Sequence, residues 1–142
     1  MKVFHGRAAG AMSERRSDTF TGTVWADPVM PATNGVTINT VFFAPGGRTY
    51  WHTHEHGQVL QVTAGQGWIC LDGEEPQPIR QGDIVFIGPN ERHWHGASEG
   101  SYMVHIATSI GKGTWQEEVA QRDYPATVAA TVAATVVATA AT

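Results

Sequence analysis

The amino-acid sequence predicts an all-β domain, a sandwich or barrel built from many short strands. Three observations point there. Short runs rich in Val, Ile, Thr and aromatic residues recur between Phe20 and Ala107, a composition that suits a pleated, half-buried surface. The breaks between them, among them Pro45-Gly46-Gly47, Gly65-Gln66-Gly67, Asp72-Gly73, Gln81-Gly82 and Pro89-Asn90, are turn sequences. The 16 glycines and 7 prolines among 142 residues favour a turn-rich β protein over a helical bundle.

Taken in order, residues 1–19 are polar and mixed in charge, and read as an N-terminal arm with a short edge strand at Val3-Phe4. Residues 20–110 form the barrel. Its predicted strands are Phe20–Trp25, Val36–Phe43, Tyr50–His54, Val59–Val62, Trp68–Leu71, Asp83–Ile87, His93–His95 and Tyr102–Ala107. Residues 111–124 read as a C-terminal helical segment. Thr114-Trp115-Gln116-Glu117 has the form of a capping box, with Thr at the N-cap and Glu at N3. Trp115 and Val119 then share a helix face, and Pro125 ends it. Residues 125–142 are a tail that contains only Ala, Thr and Val after its proline. Thr127, Thr131, Thr135 and Thr139 recur at a helical step and could stripe an oligomer-contact helix. Thr and Val weaken helices, however, and nothing large and apolar is there to dock, so a low-complexity extension is the preferred reading.

Composition bounds the function. With 42% hydrophobic and 15% charged residues the chain folds, and its length is that of one domain. A net charge of −4 argues against a nucleic-acid partner, which requires a basic face. The single cysteine, Cys70, excludes an internal disulfide and a cysteine-based zinc site. It reads as a small buried hydrophobe. Met1 to Arg7 lack the apolar stretch of a secretory leader, and no run is long enough to span a bilayer. A cytoplasmic protein with a small-molecule substrate and no membrane partner is expected.

Five of the seven histidines fall in two clusters, His52-Thr53-His54-Glu55-His56 and His93-Trp94-His95. On a strand, residues i and i+2 project from one face. His52 and His54 therefore point one way, and so do His93 and His95. Two imidazoles so placed can grip one metal ion, and a third from another strand closes a facial set with positions left open for substrate. Gln58, after a short turn, could add an amide oxygen. Alternation over Tyr102–Ser109 puts His105, Ala107 and Ser109 on a common face. If that face is inward, His105 joins the pocket. His56 and His5 read as surface residues.

Gly46-x5-His52-x-His54-x3-Gln58-x6-Gly65 resembles the first cupin motif, with Gln58 where most cupins carry Glu. Gly82-Asp83 followed by Pro89-x3-His93 is similar to the second motif, with Glu91 at a usual glycine position. The resemblance implies a cupin-type β jelly-roll barrel. A narrower resemblance is to small manganese cupins with hydroxynitrile lyase activity. It is carried by Phe20-Thr21-Gly22-Thr23-Val24, by Pro45-Gly46-Gly47-Arg48-Thr49-x-Trp51-His52-Thr53-His54, by Gly57-Gln58, and by Val62-Thr63-Ala64-Gly65. His93-Trp94-His95-Gly96-Ala97 and Trp115 with Glu118-Val119 extend it. It implies His52, His54, Gln58 and His93 as metal ligands, with His95 and His105 as further active-site histidines. Tyr50 and Asn39 depart from that group, which tends to carry a small residue at the first and an apolar one at the second.

Four uncharged ligands would leave a divalent ion its full charge. That favours polarisation of an oxygen over redox chemistry. Manganese is the expected metal, and iron(II), nickel or zinc also suit such donors. The expected activity is that of a metal-dependent lyase acting on a small 2-hydroxynitrile, with His95 or His105 as the base. The alternatives are a metal-dependent dioxygenase of an aromatic or enol substrate and a non-catalytic small-ligand-binding cupin. Exposed sheet edges and the arm predict a homodimer or homotetramer.

Overall fold

A two-residue side-chain period gives each strand one face for a core and one for its surroundings, and the observed strands follow it. In a computed structural model, residues 1–6 and 11–125 are described. Their strands are β1 (Glu14–Arg16), β2 (Phe20–Thr21), β3 (Val24–Thr33), β4 (Val36–Phe43), β5 (Arg48–Thr49) and β6 (His52–His54). The second half holds β7 (Gln58–Leu71), β8 (Gln77–Arg80), β9 (Ile84–Ile87), β10 (His93–Ala97), β11 (Met103–Ile110) and β12 (Gly113–Trp115). No helix among the described residues is long and apolar enough to cross a membrane.

The pairings are antiparallel, in the order β1-β3-β4-β11-β7-β10-β5-β2. β9 and β8 pair with successive halves of β7, and β6 bridges β10 and β12. Sequence-distant partners such as β4 with β11 and β7 with β10 give the crossed connections of a jelly roll, here a nearly closed barrel. Val24, Phe43, Leu60, Val62, Ile87 and Met103 fill its interior. Each such side chain contributes about 1.5–3 kcal/mol when fully buried.

A second apolar cluster lies under the C-terminal segment, made of Trp51, Trp68, Cys70, Trp94, Val119 and Tyr124. Tyr124 Oη donates to Ala97 O at 2.6 Å, and the Arg48 guanidinium sits 4.2 Å from the centre of the Tyr124 ring. Arg92 lies 4.2 Å from the centre of the Trp51 ring and pairs with Asp72 at 3.1 Å. It also donates to Gln116 Oε1 at 2.6 Å and binds Glu117. These contacts hold the segment against the barrel wall.

The structure corrects the predicted C-terminal helix. Thr114 and Trp115 belong to β12, paired with Thr53 and His52 of β6. The ladder continues through Gln116 N to Trp51 O and Trp51 N to Glu117 O. A single 3₁₀ turn at Gln121–Asp123 is the helical remnant. An isolated helix of this length is marginal, and pairing with an open strand edge outweighs the local capping signal. Val119 is buried as expected, on an extended segment. The arm departs too: the described residues 1–6 carry no strand, and β1 forms at Glu14–Arg16 instead. β3 continues to Thr33 through Pro28 and Pro31, beyond its β1 partners at Val24–Ala26, where no ladder bond on that edge needs an N–H. The tail from residue 126 lies outside the described residues.

The predicted turn at Gly65-Gln66-Gly67 is the middle of β7. Here the strand bends from one sheet into the other, and both glycines are required by close approach. A Cβ on Gly65, where φ is +73°, would lie 1.9 Å from Tyr102 O. A Cβ on Gly67 would lie 1.9 Å from Gly96 O. Strand glycines at such corners admit a neighbouring backbone. Gly67→Ala is therefore expected to cost about 3 kcal/mol or more, whereas Gly100→Ala, with open space around it, should change stability by less than about 1 kcal/mol. Urea unfolding of both variants checks this, and equal midpoints would contradict it.

Candidate metal centre

β6 and β10 pair with His52 directly opposite His93. The strand period then carries His54 and His95 to the same interior. Ring centres lie 4.2 Å apart for His52 and His93, 5.2 Å for His52 and His95, and 5.6 Å for His93 and His95. Trp94, between the two β10 histidines, is fully buried in the outer tryptophan cluster. Gln58 opens β7, while His105 and Ser109 come from β11.

The six predicted site residues are all buried. His52, His54, Gln58, His95 and His105 line a cavity of about 230 Å³, and His93 packs behind it against His52 and Gln58. Among the described residues, the histidines whose nitrogens converge to within 4.8 Å are His52, His93 and His95. His54 stands just outside that set, its ring 5.1 Å from His52 and 5.8 Å from His93. The convergent triple thus includes His95 where the sequence reading put His54. His56 and His5 are exposed, as expected.

Hydrogen bonds fix the ring tautomers. His52 Nδ1 donates to Tyr50 O and His93 Nδ1 donates to Glu91 O, each at 2.8 Å. A carbonyl only accepts, so both protons sit on Nδ1, and both Nε2 atoms present lone pairs inward. Gln58 Nε2 donates to Ser109 Oγ at 2.9 Å, which turns its Oε1 toward His93 Nε2 at 3.0 Å. Two acceptors so close repel unless a cation lies between them. Donors at right angles on one ion, each about 2.1 Å from it, are themselves about 3.0 Å apart. Both ring nitrogens of His54 and Nε2 of His95 are buried without a hydrogen-bond partner. This donor set fits a divalent ion. His105 Nε2 and His95 Nδ1 share a hydrogen bond at 3.0 Å.

Three further residues serve the site. Ser109 orients Gln58, and its alternation with His105 was the available signal. Trp115 packs on His52 with ring centres 4.5 Å apart and planes tilted by 37°; the capping-box pattern had placed it on a helix. Phe43 meets His95 edge-on at 6.0 Å and His105 at 5.1 Å. Glu91 contributes its carbonyl, while its carboxylate accepts from Gly88 N at 2.8 Å. Tyr50 likewise acts through its carbonyl and lies outside the cavity lining, whereas Asn39 is part of it.

Burial pushes every one of these histidines toward the neutral form. Desolvation lowers His54 and His105 to about 4, with His93 adding to the effect on His54. Desolvation first, then neighbouring histidines, holds His52 and His95 well below the usual 6.5. His93 is lowered by desolvation as well. An unfolded chain therefore binds protons that the folded chain refuses. This stability is fully present above pH 6.5 and is lost as pH falls toward 4. For His105 alone, a fall from 6.5 to about 4 corresponds to about 3 kcal/mol. The metal-free protein should lose urea resistance steadily between neutral pH and about pH 4.5, and a flat profile would contradict the neutral cluster.

Comparison with known proteins agrees with this geometry. The family model described as a cupin domain matches residues 39–108. A (R)-mandelonitrile lyase from Granulicella tundricola is 43% identical over 114 residues, spanning 76% of this chain and 87% of that protein. A cupin-like protein from Thermotoga maritima superposes with a TM-score of 0.73 at 34% identity, covering 87% of this chain and 95% of that one. The polyketide cyclase RemF from Streptomyces resistomycificus, at 18% identity and a TM-score of 0.67 over 89% of this chain and 90% of its own, shares the fold. Relatives, barrel and inward-facing histidine strands converge on one assignment: this chain belongs to the cupin family.

Proposed function

We propose that the protein is a divalent-metal lyase that cleaves a carbon–carbon bond in a small 2-hydroxynitrile, mandelonitrile being the compound named for its 43% identical relative. The observation that carries this reading is the uncharged character of the site. Its donors are imidazoles and one amide, and the described residues lining the cavity include no carboxylate. We assign the ion to His52, Gln58 and His93, with His54 rather than the convergent His95 as the fourth donor. Both His54 nitrogens are buried without a partner, while His95 is engaged by His105; manganese is the preferred metal. A bound divalent ion supplies Lewis acidity toward the substrate oxygen.

The chain does the rest. Phe20, Val41, Phe43, Ala107 and Trp115 give the cavity an apolar wall that accepts an aryl group. The His95–His105 pair is neutral at pH 7 and can take up a proton. His95 Nε2, which is buried and unpartnered, receives the substrate hydroxyl proton. The His105 Nε2 contact spreads the resulting charge across both rings. The oxygen electrons close the carbonyl, and the carbon–carbon electron pair leaves with cyanide. Cyanide then recovers the proton from His95, which restores the neutral pair. Preorganised dipoles around the reacting atoms should provide the largest part of the rate.

Manganese-loaded protein mixed with mandelonitrile is expected to release benzaldehyde above a metal-stripped control, and no release would remove the lyase reading. Oxygen uptake without aldehyde would assign the site to a dioxygenase. Gln58→Glu is expected to retain metal more tightly, because the new carboxylate adds charge, and to slow cleavage by about tenfold or more. Metal content and aldehyde release measured on the same sample read both effects.

A further inference from the structure

The metal cavity continues past its apolar wall. A second chamber of about 470 Å³ adjoins it, beside the segment that joins β1 to β2. Phe20, Asn39, Val41 and Trp115 line both chambers and form the neck between them. Phe20 meets Trp115 with ring centres 5.4 Å apart. Thr21 Oγ1 donates to Glu118 Oε1 at 2.7 Å, which ties the strands bearing these two rings together. The odd member of the neck is Asn39. It lies opposite Pro28 on β3 and Ala107 on β11, neither of which has a hydrogen-bonding side chain. Its own amide has no hydrogen-bond partner among the described residues. A half-buried amide in an aromatic and aliphatic wall loses water without gaining a partner, unless a ligand supplies one.

We propose that the two chambers form one elongated site, and that its substrate is an aryl 2-hydroxynitrile whose far end carries an uncharged hydroxyl held by Asn39. The substrate class rests on the lyase reading of the inner cavity. Volume supports the extension. The inner cavity, at about 230 Å³, also has to hold an ion, whereas small-molecule sites usually span about 300–1,000 Å³. Charge sets the character of the far end. Arg15, Arg16 and Asp18 border the outer chamber. Arg16 is paired with Glu14 at 3.1 Å. Arg15 donates to Gly22 O at 3.3 Å and lies 5.8 Å from the centre of the Trp25 ring. With Glu14 and Asp18 counted, the formal charges cancel, so the chamber gives no net attraction to a carboxylate or an ammonium. Ser17 and Thr19 add hydroxyl groups to its lining. An amide offers both a donor and an acceptor, which suits a hydroxyl that can act as either. A site with such a group rejects a ligand of the same shape that lacks the polar atom.

Calorimetric binding of product-like aldehydes to the manganese-loaded full chain tests this without turnover. The probes are para-hydroxymethylbenzaldehyde and para-ethylbenzaldehyde, which have nearly the same shape, the ethyl compound being the more hydrophobic. The hydroxymethyl compound is expected to bind tighter by about fivefold or more, and Asn39→Leu should erase that preference. The same ratio should appear in kcat/KM for the corresponding 2-hydroxynitriles, and the same variant should remove it. Equal binding of the two aldehydes to the wild type, or a preference for the ethyl compound, would overturn the proposal whether or not the variant folds. So would tighter binding of para-carboxybenzaldehyde, or a hydroxymethyl preference lost in Arg16→Gln but kept in Asn39→Leu. Either result would give the far end to the arginines. A preference that depends on Asn39, with no cleavage of mandelonitrile, would keep the subsite and remove the lyase reading. Cleavage without the preference would keep the lyase reading and remove the subsite.

Discussion

The pairing of β6 with β10, His52 facing His93, is the constraint on which the site depends. It sets two imidazoles 4.2 Å apart, and the pleat repeats the arrangement one step along each strand. β10 is buried on both faces, with histidines toward the cavity and Trp94 toward the outer cluster. A shift of one residue would exchange the two, sending tryptophan into the cavity and imidazole into the apolar layer. The tryptophan cluster and the segment clamped over it thus maintain the register that the chemistry requires.

Gathering histidines away from water has a cost, and the fold meets it with backbone groups. The Tyr50 and Glu91 carbonyls hold one nitrogen each of His52 and His93, and Ser109 holds the Gln58 amide. These bonds fix the direction of the remaining lone pairs. The nitrogens left without partners at His54 and His95 are expensive in an empty protein and useful in one that holds a cation. Such residual dissatisfaction is common where a site is prepared for something other than the chain itself.

Much of this was legible in the sequence. The two HxH clusters follow from strand alternation alone, and the tracts from Val36 and Tyr102 appear as β4 and β11. The inward direction of His105 was conditional on which face of β11 turns inward, and that face became evident with the barrel. The failures share one cause. Gly65-Gln66-Gly67 and Thr114-Trp115-Gln116-Glu117 carry strong local signals, for a turn and a helix, that distant partners override. Tyr102, just before β11, and Gly96 of β10 approach the glycines, and β6 offers β12 its open edge. Neither partner can be located from the neighbouring residues. β8, with Gln77 and Pro78 at its start and one buried side chain at Ile79, lacks the apolar alternation that identifies a strand. The choice between His54 and His95 in the convergent triple depends on how each ring is turned within the barrel, which a spacing rule does not resolve.

β7 runs 14 residues and belongs to both sheets, pairing with β11 and β9 in its first half and with β10 and β8 in its second. One continuous backbone therefore acts as a spine across the bend. The sheets cannot shear past each other without stretching covalent bonds or rupturing ladders on both sides. With β12 laddered to β6 as well, the cavity between the sheets keeps its width by chain connectivity, and side-chain packing only trims its shape.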